Sequence, residues 1–188
     1  MDNSTDGSKP VDIAAKQQQW LEEARRVKEK FSGPGSASAE VIASYSGIEF
    51  LQAMMAGQLN YPPIADTLNF SVVHVEPGRV IFQGVPLFAH YNPIGSVHGG
   101  WFCALLDSAL GCAVQSKLPR GSGYTTLELK VNLIRALTDK TGPVRAEGNV
   151  VHIGRQTGIA EARLYDAAGK IYATASTTCL VFQIAAQK

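Results

Sequence analysis

The run VHGGWFCALLDSALGCAVQ, residues 97–115, carries one carboxylate, Asp107; its only other ionisable side chains are His98 and the thiols of Cys103 and Cys112. A carboxylate buried alone costs several kcal/mol or shifts its pKa until it is neutral. Asp107 is therefore either a buried aspartate satisfied by hydroxyls such as that of Thr126, or a group facing a reactive site. Just upstream, Gly99 and Gly100 follow His98, with Ser96 the expected N-cap of a helix. Two glycine amides then fall in the first turn, where backbone N–H groups lack intrahelical partners. Absence of a Cβ lets a ligand approach that backbone, and the positive end of the helix dipole suits a developing oxyanion. The alternative is that the glycine pair only packs against a strand. Asn92, six residues before His98, lies in a loop, where it either positions a water or substrate carbonyl or shapes the turn before Pro93.

Spacing constrains how these groups cooperate. Asp107 is nine residues after His98, which is ~13 Å along a helix. One reacting carbonyl cannot touch both the glycine amides and the carboxylate of the same helix. Either the two are unrelated, or two copies of the helix run antiparallel across a two-fold axis, so that Asp107 of one chain meets the helix start of the other. That arrangement gives two equivalent sites per dimer. Cys103 has no histidine beside it in sequence, so a Cys–His nucleophile is not expected; His74, His90 and His152 are scattered and receive no role. GSVHGG lacks both the Gly-Lys-Ser/Thr ending of a phosphate loop and the spacing of a dinucleotide fingerprint.

The elements that must position these residues follow from periodicity. DIAAKQQQWLEEARRVKEKF, 12–31, reads as a helix on the surface or at a subunit contact, anchored by Ile13, Trp20, Val27 and Phe31. Residues 1–10 read as a tail, 32–40 as a Gly/Ser/Pro linker, and 46–59 as an amphipathic helix that Gly57 helps to end. A short helix is expected from about Pro63. The period then changes to two: strands at 70–76 and 79–85 joined across Pro77-Gly78, the apolar helix from about Val97 to Gln115, and strands at 123–135, 142–153, 155–166 and 170–182. A helix apolar all round has to be wrapped. The sequence thus predicts an α+β fold, an antiparallel sheet around a long central helix.

Composition narrows the function classes. With 17 Lys+Arg against 16 Asp+Glu, the net charge of +1 recruits neither nucleic acid nor an acidic membrane surface. Three cysteines form no disulfide framework and match no zinc spacing, so no metal site is expected, and the odd count favours a reducing compartment. No secretory leader and no membrane span is legible, and a cytoplasmic protein is expected.

At these residues the sequence resembles the hotdog-fold acyl-CoA thioesterases of the phenylacetate-pathway (PaaI) type. The pattern is Asn92, Gly95, His98-Gly99-Gly100, then LLDSALG with Asp107; the strand TTLELKVNLIRAL and the hairpin GRQTG also look like the family. The resemblance covers about residues 47–183 and implies a hotdog domain over 41–188, with 1–40 outside it. It implies hydrolysis of acyl-CoA to free acid and CoA without a cofactor. Asp107 would be nucleophile or general base, Gly99 or Gly100 N–H would polarise the thioester carbonyl, and Asn92 and His98 would arrange the loop. Thr126 falls where relatives hold the water, but the interval from Asp107 is a residue longer than in the family, so Thr125 competes for that place. Gly154 and Arg155 would lie along the CoA nucleotide and pantetheine arm. The family further implies a homodimer assembling into a homotetramer. Hotdog dehydratases use motifs that do not match NPIGSVHGG, and a non-catalytic acyl-CoA binder would not need Asp107.

Overall fold

The alternation after residue 70 produces six strands: β1 (Phe70–Glu76), β2 (Arg79–Gly84), β3 (Ser122–Leu133), β4 (Val144–Ile153), β5 (Thr157–Asp166) and β6 (Ile171–Gln183). The computed structural model describes residues 12–184, so the expected tail at 1–10 lies outside it. The strands form one antiparallel sheet in the order β1-β2-β4-β5-β6-β3. β2 and β3 are consecutive among the strands yet far apart in the sheet. The helix α5 (Gly99–Gln115) carries the chain between them across the inner face. This is the hotdog fold that the resemblance implies.

Packing explains why α5 sits inside the curl. Leu105, Leu106, Ala109, Leu110, Ala113 and Val114 are fully buried, and each large side chain contributes ~1.5–3 kcal/mol by leaving water. Along β5 the inward Gly158, Ala160, Ala162 and Leu164 are buried while the intervening residues are exposed or half-buried. Small inner residues let the helix approach: a Cβ at Gly148 would lie 2.4 Å from the Ala109 carbonyl oxygen. The enclosure is incomplete, which corrects the reading of α5 as apolar and wrapped all round. Cys103, Ala104, Asp107 and Ser108 form a half-exposed stripe, because a single six-stranded sheet leaves one side of the helix open.

Four helices precede β1, three of them short. α2 (Ala39–Ser44), capped by Ser38, was not legible as a helix and starts inside the expected linker. α3 (Gly47–Met55) has a capping box between Ser46 and Glu49 and ends before Gly57, whose φ of +77° suits glycine. α4 (Ile64–Thr67) begins after Pro63, as expected.

The helix α1 (Ile13–Lys28) is more than a surface element. Trp20 is buried against the outer face of the sheet, where the Arg145 guanidinium lies 4.2 Å above its ring and Tyr165 meets it edge-on at 5.9 Å. Gln83 donates to the Trp20 carbonyl at 2.9 Å, and Arg145 pairs with Glu23. The sparse apolar positions of α1 concealed this because its anchor is one tryptophan held largely by polar partners.

Candidate active site

The start of α5 is built differently from the sequence expectation. The N-cap is His98, not Ser96: His98 Nδ1 accepts the Gly100 N–H at 2.9 Å. Trp101 N–H is also engaged, by the His98 carbonyl at 3.0 Å. Of the two glycine amides, only that of Gly99 has no partner among the described residues. The structure thus separates two donors that the sequence left equivalent.

Ser96 serves the preceding turn instead. Asn92 Oδ1 accepts from Ile94 N–H at 3.1 Å and Ser96 N–H at 3.3 Å, and Asn92 Nδ2 donates to Ser96 Oγ at 3.2 Å. Gly95, at φ +87°, closes the loop with a backbone geometry that favours glycine. Asn92 therefore organises the entry to α5. Of its two sequence readings, the turn-forming role is the one these contacts describe. Val97 is buried and His98 N–H donates to the His90 carbonyl at 2.8 Å, which fixes the angle at which the chain enters the helix.

Asp107 lies on the open stripe of α5. Thr126 Oγ1 donates to its Oδ1 at 3.0 Å, while Oδ2 has no donor among the described residues. This pairing decides between the two threonines. Thr126 pairs in register with the buried Cys179 and faces α5, whereas Thr125 pairs with Leu180 and is exposed on the outer face. A β-bulge at Leu127 then resets the alternation, so that Leu129 and Val131 also face inward. The thiols nearby are poor nucleophiles. Burial pushes Cys112 up to about 12 and also raises Cys179, so neither is a thiolate near neutral pH.

Gly154 and Arg155 form the tight turn between β4 and β5, closed by Gly154 N–H to the Thr157 carbonyl at 2.7 Å. A Cβ at the neighbouring Gly158 would lie 2.6 Å from Val114, so this hairpin stands by the C-terminal end of α5. Arg155 is exposed and has no ion-pair partner among the described residues. Within one chain, then, the free Gly99 amide and Arg155 sit at opposite ends of the helix, with Asp107 between them. Sequence reasoning assigned nothing to Tyr124, yet period two from Thr126 places it on the inner face, where it reaches Gly111. A Cβ there would lie 2.7 Å from its hydroxyl. Burial raises the Tyr124 pKa well above its ordinary value, so the phenol stays protonated.

A lone carboxylate on a central helix wrapped by an antiparallel sheet, with an amide at the helix start that has no partner among the described residues, makes up the candidate site of a hotdog fold. The sequence profile of the Thioesterase superfamily matches residues 94–173. Over those residues, less than half of its length, the chain is similar to that superfamily. A protein of Halobacterium salinarum to which an esterase activity has been ascribed is 38% identical over 69 residues, spanning 36% of this chain and 44% of that one, under half its length. The 1,4-dihydroxy-2-naphthoyl-CoA hydrolase of Listeria monocytogenes is 24% identical over 118 residues, 63% of this chain and 94% of that enzyme. Among solved structures, a thioesterase-like, phenylacetic acid degradation-related protein of Ralstonia eutropha superposes with a TM-score of 0.64 at 28% identity, covering 70% of this chain and 98% of that one. No helix among the described residues is long and apolar enough to cross a membrane.

Proposed function

We propose that the chain hydrolyses acyl-CoA thioesters to free acid and CoA, at two equivalent sites of a homodimer. The observation that carries this reading is the state of Asp107: half-buried on the one open stripe of α5, anchored through Oδ1 by Thr126, and free at Oδ2. A structural aspartate would have both oxygens satisfied.

The Gly99 amide lies eight residues from Asp107, ~12 Å along the helix, so the carbonyl is polarised by the Gly99 N–H of one chain and attacked beside Asp107 of the other. β3 is an edge strand of 12 residues with Leu127 and Leu133 exposed, a surface suited to antiparallel pairing with its copy. Such pairing sets the two α5 helices antiparallel across the axis. In the base-catalysed route, Asp107 takes a proton from water as its oxygen bonds to the carbonyl carbon. The Gly99 N–H stabilises the oxyanion, and its collapse breaks the C–S bond, the CoA thiolate leaving and taking up a proton. In the nucleophilic route, Asp107 itself attacks, and water hydrolyses the resulting anhydride. Arg155 binds the CoA phosphates by charge-assisted bonds. We assign the hotdog domain to 41–188 and treat the helix α1 as its outer layer. Dimers pair further into a tetramer over the outer face that α1 leaves open, where Ile159 and Leu180 are exposed.

Asp107→Asn tests the chemistry. The amide oxygen still accepts from Thr126, so fold and assembly survive. Turnover of acyl-CoA, read by thiol release, falls at least ~10²-fold, the lower end of what a positioned acid–base group supplies. Near-wild-type turnover with a lowered Tm would make Asp107 a structural residue.

A further inference from the structure

Asp107, Gly111 and Gln115 follow one another at i, i+4 and i+8 and so share a face of α5. That face points from the proposed reaction centre toward an apolar groove of about 400 Å³ at the far end of the helix, with the buried Gly111 between them. Ile42 of α2, Phe50 of α3, and Phe182 and Ile184 at the end of β6 line it, with Gln115 and Tyr124 at its inner edge. Tyr124 stands at the boundary. Its ring forms part of the groove wall, and its hydroxyl end lies against Gly111, one helical turn beyond Asp107. Any side chain at Gly111 would collide with that ring.

We propose that this groove receives the distal part of the substrate's acyl group, and that Tyr124 is the specificity-determining residue separating short acyl groups from those long enough to enter it. The inference rests on the thioester-hydrolase reading above and names the substrate class as medium-chain or extended acyl groups. Two observations favour the acyl tail over the thiol side of the substrate. The pantetheine arm carries two amides and a hydroxyl that need partners once buried. The groove offers little beyond Gln115, because Ser122 is already engaged by Gln183 at 2.9 Å and the Tyr124 hydroxyl lies against Gly111. The volume also falls in the range of small-molecule sites, about 300–1,000 Å³.

The geometry sets a length threshold. From Asp107 to Gln115 is ~12 Å along the helix, and a methylene chain with C–C bonds of ~1.5 Å advances ~1.3 Å per bond. An acetyl or butanoyl group ends before Tyr124, whereas a decanoyl group passes it and enters the groove. Each methylene buried there raises kcat/KM by about fourfold, the equivalent of ~0.8 kcal/mol.

The test is kcat/KM of the full chain on acetyl-, butanoyl-, octanoyl- and decanoyl-CoA, for the wild type and for Ile42→Trp, which fills the groove from a half-buried position on α2. The variant should lose at least ~10-fold on decanoyl-CoA and keep acetyl-CoA turnover within about twofold, since chemistry at Asp107 is untouched. Tyr124→Ala should flatten the step between butanoyl and octanoyl. Equal losses on all chain lengths would assign the groove to the pantetheine arm and overturn the proposal, as would an unchanged length profile in a folded Ile42→Trp. Absence of hydrolysis of every CoA ester by the wild type would instead refute the underlying thioesterase reading. Should Ile42→Trp fail to fold, Ile42→Ala supplies the opposite perturbation, with the optimum expected to move to longer chains.

Discussion

Replacing Gly99 with proline removes one N–H and little else. Gly99 is the first helical residue, where proline is well tolerated because that N–H has no intrahelical partner and φ is already set for the helix. The preceding His98 has φ −61° and ψ 137°, the extended geometry that a residue before proline adopts. The added Cβ meets only the end of the Leu133 side chain, at 3.0 Å, which a flexible tip accommodates. Gly100 N–H is held by His98 and Trp101 N–H by the His98 carbonyl, so the substitution deletes the one of these three amides that has no partner among the described residues. Removing one oxyanion donor costs ~10²–10³ in kcat, or ~2.7–4 kcal/mol. Gly99→Ala, which keeps the N–H and makes the same Leu133 contact, should retain most of its activity. Assayed by thiol release on one acyl-CoA, the two variants separate donor loss from crowding. Mixing adds a second readout. If the site is shared, a mixed dimer of Gly99→Pro and Asp107→Asn chains has one site with both lesions and one with neither. Equimolar random reassociation should then restore about a quarter of wild-type activity from two inactive parents. No recovery in a verified mixed dimer would place the two groups in separate sites and refute the shared-site reasoning; full activity of Gly99→Pro would remove the oxyanion role.

Arg155→Ala should raise KM for CoA esters with kcat little changed, because a bond to phosphate is made alike in ground and transition states. Thioesters of N-acetylcysteamine, which lack the nucleotide, should not register it. Trp20→Ala should destabilise the fold by about 3 kcal/mol, the low end for a buried aromatic, lowering Tm by ~6–12 °C. Turnover per folded molecule should be unchanged, since α1 and α5 lie on opposite faces of the sheet. Acid stability should depend on Glu147, buried on the outer face. Burial alone would raise its pKa, but Arg79 at 2.6 Å and Arg163 at 3.0 Å outweigh that and hold it below its ordinary value of 4.5. A depressed carboxylate stabilises the fold fully above the unfolded-state value and loses that contribution as pH falls through the folded one. Tm should therefore drop between pH 5 and pH 3, and Glu147→Gln should flatten that drop while lowering Tm at pH 7.

The strands and α5 were legible because each carries a pattern the core enforces: period two along β5, where alternate residues are small and buried, and along α5 an apolar run interrupted at Asp107 and Ser108. α2 was not legible, since six residues among serines and glycines have no period to read and are held by a cap and by tertiary packing. The candidate site was legible as a set of residue types but not in its hydrogen-bond assignment. His98-Gly99-Gly100 announces a helix start with spare amides. Which amide stays spare depends on the rotamer of His98, and no spacing rule encodes that. Thr125 and Thr126 are equivalent in sequence and separate only when the register of β3 against β6 puts one beside Cys179 and the other beside Leu180.

The same register explains how one strand serves two parts of the proposed site. From Thr126, which anchors the carboxylate, a step of two residues back along β3 reaches Tyr124, which borders the groove. From Asp107 a step of four along α5 reaches Gly111, where that tyrosine lands. The strand period and the helix period therefore advance together, about 6–7 Å each. A pair of contacts, Thr126 to Asp107 and Tyr124 to Gly111, pins β3 to the helix at both points. Any shift of β3 by one residue would turn both side chains outward at once, so the anchoring of Asp107 and the inner edge of the groove are set by a single structural choice.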